Sequence, residues 1–232
     1  MRNGRSSRTK IEQHISSILS EHFNNTSAFV KVAVEPPFIL VHLSNFLLPT
    51  EEILLKRNEM KRLLETRDLL MEGLKTDLKT DLGEITGHAI LEIYADWNLK
   101  KETGMLIAVM DGHEASATYK WPEDKSKQAL RKQVIQLSKK TEKEPDEMEI
   151  YRVDDNAILI ERTGTMVEIE TQLIKNGATK ELRLAKRPLD HQLLASLNAE
   201  AVLDQEISEL FVDWDFKRDK SYIVLVLKAW ME

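Results

Sequence analysis

One phrase occurs twice in this chain. "IYADWNLKKETGMLIAVM", residues 93–110, returns as "LFVDWDFKRDKSYIVLVL", residues 210–227, and two copies of one sequence pattern build two copies of one structural unit. Asp96 and Trp97 fall on Asp213 and Trp214 at an offset of 213 − 96 = 117, and Met105 and Val109 fall on Tyr222 and Val226 without a gap. Upstream, "FILVHL" at 38–43 is answered by "AILIER" at 157–162, an offset of 157 − 38 = 119. A tandem duplication is the economical reading, with a first repeat at 1–114 and a second at 115–232.

Hydrophobic periodicity gives each repeat the order helix, two strands, long helix, two strands. In the first, Ile11, Ile15, Ile18 and Leu19 form one helical stripe, answered in the second by Leu130, Val134 and Leu137. The strand pairs "FVKVAV" with "FILVHL" and "EMEIYRV" with "AILIER" are separated by turn residues and read as hairpins. The expected fold class is therefore α+β, two tandem units that are each a mainly antiparallel sheet packed by helices.

The central helices differ between the repeats. From Thr50, a plausible N-cap with Glu51 and Glu52 in the first turn, one helical pattern runs to Gly83 or Gly87. A helix of about 35 residues would be about 50 Å long, so it is expected either to bend, near Gly73, or to project as a hairpin partner. Leu74, Leu78 and Leu82 recur on one face and are assigned to the core. In the second repeat Asn176, Gly177 and Pro188 are expected to break the helix into two pieces. Residues 111–126 read as a linker between the repeats.

Alternation sets the faces of the duplicated strand. Ile93, Ala95, Trp97 and Leu99 point one way, as do Leu210, Val212, Trp214 and Phe216, so both tryptophans are core residues by phase. The strand that follows each is apolar throughout, as a central strand covered on both faces would be. Asp96 and Asp213 face the other way. They admit two readings: a carboxylate pair near a two-fold axis that binds a cation or shares a proton, or two aspartates on solvated faces paired with a lysine or arginine.

Composition excludes several function classes. With 42% apolar and 31% charged residues the chain is too apolar to be disordered, and no apolar run reaches the ~18 residues of a spanning helix. The basic N-terminus leads into an amphipathic pattern and not a signal core, and there is no cysteine, so a cytoplasmic address is expected. A net charge of −6 argues against a nucleic-acid partner. The six histidines show no metal-ligand spacing. Arg183, Lys186 and Arg187 in "LRLAKRP" read as a solvated basic face or an anion site. No catalytic, cofactor or metal constellation is expected.

The run "FILVHLSNFL", "TEEILLKRNEMKRLLETRDLL" and "LGEITGHAILEIYADWNLKKETGMLIAVM" resembles the MpsC-like proteins, small bacterial proteins named for a sodium-translocating, membrane-potential-generating system. The resemblance places the family's glutamates at Glu51 and Glu52, its helix arginine at Arg67, its glycine at Gly87 and its strand aspartate at Asp96. It covers the first repeat nearly whole and the second loosely, where the sequence shows no clear counterpart to Arg67 or Gly87. It implies a non-enzymatic accessory or regulatory module whose partner is a protein, a membrane transport complex, with no insertion into the membrane. The repeats would then form a pseudo-dimer within one chain. The alternative expectation is an ion or small-molecule site, open to enzymatic use, between the repeats at Asp96, Asp213 and Arg67.

Overall fold

The computed structural model describes residues 2–23, 25–111, 121 and 124–228. The chain divides into two compact units, Met1–Ser116 and Ala117–Glu232. The first contains α1 (Arg2–Phe23), β1 (Phe29–Glu35), β2 (Phe38–Ser44), α2 (Pro49–Lys56), α3 (Met60–Thr86), β3 (Ile90–Asn98) and β4 (Thr103–Met110). The second contains α4 (Lys125–Ser138), β5 (Glu147–Asp154), β6 (Ala157–Thr163), α5 (Glu168–Lys175), α6 (Thr179–Leu194), α7 (Ala199–Leu203), β7 (Ile207–Asp215) and β8 (Lys220–Leu227). The fold is α+β, with two similar halves. Of the expected linker, residues 112–120 and 122–123 lie outside the described residues, while Trp121 is buried and Lys125 already opens α4.

Each unit holds a four-stranded antiparallel sheet, ordered β1-β2-β4-β3 and β5-β6-β8-β7. The apolar final strands, β4 and β8, therefore lie inside their sheets, as their sequence requires. In the first unit Ile11, Ile15 and Leu19 of α1 and Leu63, Met71, Leu78 and Leu82 of α3 pack with Ile39, Val41, Ile93, Trp97 and Leu106 of the sheet. In the second, Leu130, Val134 and Leu137 of α4 and Leu182 and Leu194 of α6 pack with Ile158, Ile160, Val212, Trp214 and Ile223. Burial of each such side chain stabilises the fold by about 1.5–3 kcal/mol.

The long helix does not bend at Gly73. It breaks at residues 57–59, where Asn58 takes φ 63° and the last turn of α2 closes with Asn58 N–H donating to Leu55 O and Glu59 N–H to Leu54 O, a Schellman ending. Gly177, at φ 81°, ends α5 in the same way, with Gly177 N–H on Ile174 O and Ala178 N–H on Leu173 O. The α2 helix also begins earlier than Thr50, with Leu48 as N-cap and Pro49 in its first turn. The break in the second unit falls at Asn176–Ala178 as expected, but Pro188 lies within α6 and does not end it.

Backbone irregularities follow the duplication. The positive-φ residues among those described fall into pairs at matching positions: Asn45 with Gly164, Asn58 with Gly177, Gly87 with Asp204, and Glu102 with Asp219. A register shift at Ile90/Glu92 in β3 recurs at Ile207/Glu209 in β7. Gly87 therefore does have a counterpart in the second unit: Asp204, in the left-handed conformation that caps the preceding helix.

Candidate functional site

In the first unit a buried ion pair lies behind the duplicated tryptophan. Arg67, on α3, donates from Nε to Glu51 Oε1 at 2.8 Å and from Nη2 to Glu51 Oε2 at 2.7 Å, with a further bond from Nη2 to Phe46 O at 3.1 Å. Glu51 reaches back to accept the Leu48 N–H at 2.9 Å, so one carboxylate both caps α2 and neutralises Arg67. The guanidinium lies 4.9 Å from the Phe46 ring and 4.8 Å from the Trp97 ring. Arg67 is only 3% exposed. Gly104 beneath Trp97 makes room for the ring, since a Cβ there would stand 2.5 Å from Trp97 Cε3.

The wall around this pair is apolar. Leu19, Phe23, Leu43, Phe46, Met71 and Trp97 border a cavity of about 20 Å³, room for one water molecule. Phe23 meets Phe46 edge to face at 5.6 Å between centroids, and Phe46 meets Trp97 at 5.4 Å.

In the second unit the same frame holds different chemistry. Glu170 caps α5 by accepting the Val167 N–H at 3.0 Å, as Glu51 caps α2, and lies 170 − 51 = 119 residues further on. At the same offset from Arg67, 186 − 67 = 119, stands Lys186. Its Nζ is 3.0 Å from Glu170 Oε1 and 6.0 Å from the Trp214 ring. Arg67 thus has a counterpart, contrary to the sequence-based expectation, and the pattern was hidden because a lysine replaces the arginine. The apolar wall has become polar position by position: Leu19 is answered by Ser138, Phe23 by Glu142, Leu43 by Arg162, Phe46 by Thr165 and Met71 by Asp190.

Four of these replacements, Ser138, Glu142, Arg162 and Asp190, join with Lys186 into one buried network. Arg162 donates from Nη1 to Glu142 Oε2 at 2.7 Å and Ser138 Oγ at 2.8 Å, and from Nε to Ser221 Oγ at 3.1 Å. Lys186 donates to Glu142 Oε1 and has Asp190 Oδ2 at 3.7 Å. Burial pushes the Asp190 carboxyl up to about 6; Lys186 and Arg162 oppose the shift, while Glu142 and Glu170 reinforce it. Burial alone would lower the Lys186 ammonium, but Glu142, Asp190 and Glu170 outweigh it and hold the group above its ordinary value. Lys186 and Arg187 are buried, not a solvated basic face.

The residues singled out in the sequence do not assemble as one site. Arg67 stacks on Trp97, and strand alternation puts Asp96 on the opposite face of the sheet. Neither aspartate is on a solvated face: Asp96 is 2% exposed and Asp213 3%. Asp213 is paired with Arg183, which also donates to Trp214 O at 3.0 Å around the edge strand β7. Leu64 holds the position of Arg183 in the first unit. Among the described residues no group of three or more histidine, aspartate or glutamate side chains is placed to hold a metal ion.

The fold and its buried clamp define a class: tandem α+β units, each pinning a helix corner to its sheet through a glutamate-bound cation stacked on tryptophan. The chain belongs to the family described as Na+-translocating membrane potential-generating system (MpsC), which matches it twice, over residues 5–112 and 123–229. No curated protein and no solved structure matches it.

Proposed function

We propose that this protein is a non-enzymatic accessory or regulatory module of a membrane ion-transport system, acting from the cytoplasmic side through protein contacts. The family description supplies the transport context. No helix among the described residues is long and apolar enough to cross a membrane, so the module would dock on a partner that does cross it. The observation that carries the reading is the use made of the clamps. Arg67 and Glu51 in the first unit, and Lys186, Glu170 and Glu142 in the second, are turned inward onto their own partners, offering no reactive group to a substrate, while the helices that carry the first pair present apolar side chains outward. Ile53, Leu69 and Leu70 are exposed on α2 and α3, Leu69 by two-thirds.

Membrane vesicles prepared from cells with and without the protein test this directly. The sodium-dependent membrane potential should be smaller without it and restored by adding it back. A Leu69→Asp, Leu70→Asp variant, folded as judged by circular dichroism, should fail to restore it. An unchanged potential, with the protein wholly free of the membrane fraction, would overturn the reading.

A further inference from the structure

The network around Lys186 holds more carboxylate than cation. Glu142 from the turn after α4, Glu170 from α5 and Asp190 from α6 face Lys186 of the same helix and Arg162 of β6. All five side chains are buried. With every group ionised the cluster carries one uncompensated negative charge away from water, which is costly. Asp190 is where that excess resides. Its Oδ2 accepts no hydrogen bond, and Lys186 Nζ, at 3.7 Å, is beyond bonding reach because it is engaged by Glu142 and Glu170.

We propose that this cluster is a proton-binding site: the second unit takes up one proton at Asp190, and its release loosens α6 against α5 and the turn after α4. Protonation brings three carboxyl groups and two cations to electrical balance; deprotonation is relieved by separating the helices or admitting water. The raised affinity of the Asp190 carboxyl for its proton agrees with this. The first unit is a control within the same chain. Met71 stands at the position of Asp190, and Arg67 with Glu51 is already balanced. The change would reach the surface at Ile169 and Leu189, exposed side chains adjoining Glu170 and Asp190 in sequence. The proposal is independent of the transport reading.

Carbon-detected NMR titration of the Asp190 carboxyl in the full chain, with amide exchange of α3 and α6 at about pH 5 and about pH 8, tests it. The carboxyl should titrate well above the ordinary aspartate range. After correction for intrinsic rate, α6 should exchange about tenfold or more faster at the higher pH, the factor that one pKa unit of linkage supplies, while α3 does not change. Asp190→Met, which installs the first unit's residue, should abolish the α6 effect. An Asp190 carboxyl titrating near 4, or α6 protection that follows α3 at both pH values, would overturn the proposal; both are read on the unmodified protein, so failure of the variant to fold leaves it testable.

Discussion

Arg67 and Lys186 occupy one position in two units, and the difference between a planar fork and a point charge accounts for what surrounds each. The guanidinium takes both oxygens of Glu51 and lies against two rings, so apolar neighbours complete its surroundings. The ammonium offers no fork, and three carboxylates gather about it. Arg67→Ala leaves Glu51 buried without its cation and should lower unfolding stability in urea by about 3–5 kcal/mol. Arg67→Lys should cost less but still be destabilising, because the first unit lacks the second unit's extra carboxylates. Asp190 carries the opposite sign of pH dependence from a salt-bridged carboxylate. Its folded value of about 6 lies above the ordinary 3.8, so between those values the folded chain holds a proton that the unfolded chain releases. Its contribution to stability therefore falls as pH rises through that window, by about 3 kcal/mol in all. The difference in urea midpoint between wild type and Asp190→Asn, followed across pH, isolates this; the variant should gain on the wild type as pH rises.

At the scale of elements, the two helical corners rest on the same devices with different residues. A Schellman ending and a glutamate cap set the turn between α2 and α3, and again between α5 and α6. Pro188 departs from that economy. It is exposed within α6 and supplies no N–H to the helix. Pro188→Ala should restore that donor without disturbing the core and raise stability by about 1–3 kcal/mol, measured by thermal and urea unfolding. The core stripe of α3 was legible from spacing, since Leu78 and Leu82 are buried and Leu74 packs beside them. The break at Asn58 was not, because asparagine signals a left-handed ending only when the preceding carbonyls are free to accept its N–H and the next one.

At the scale of the molecule, a net charge of −6 bears on where the protein can bind. An acidic chain is repelled by anionic lipid, so the proposed attachment would be to protein and not to the lipid surface. Flotation with protein-free anionic vesicles should leave it unbound at low and at physiological salt; binding there would shift the search from a protein partner to the lipid surface.

The duplication, the order of helices and strands along each repeat, the interior place of β4 and β8 and the inward phase of Trp97 and Trp214 were all determined by sequence, because period and repetition are local properties that a linear pattern records. The candidate site was not. The basic run containing Arg183, Lys186 and Arg187 reads as a solvated face until Glu142, Glu170 and Asp213 arrive from three other parts of the chain to neutralise Lys186 and Arg183. A charge run shows how many cations a segment carries, while burial depends on whether distant carboxylates meet them. Only the tertiary structure decides that.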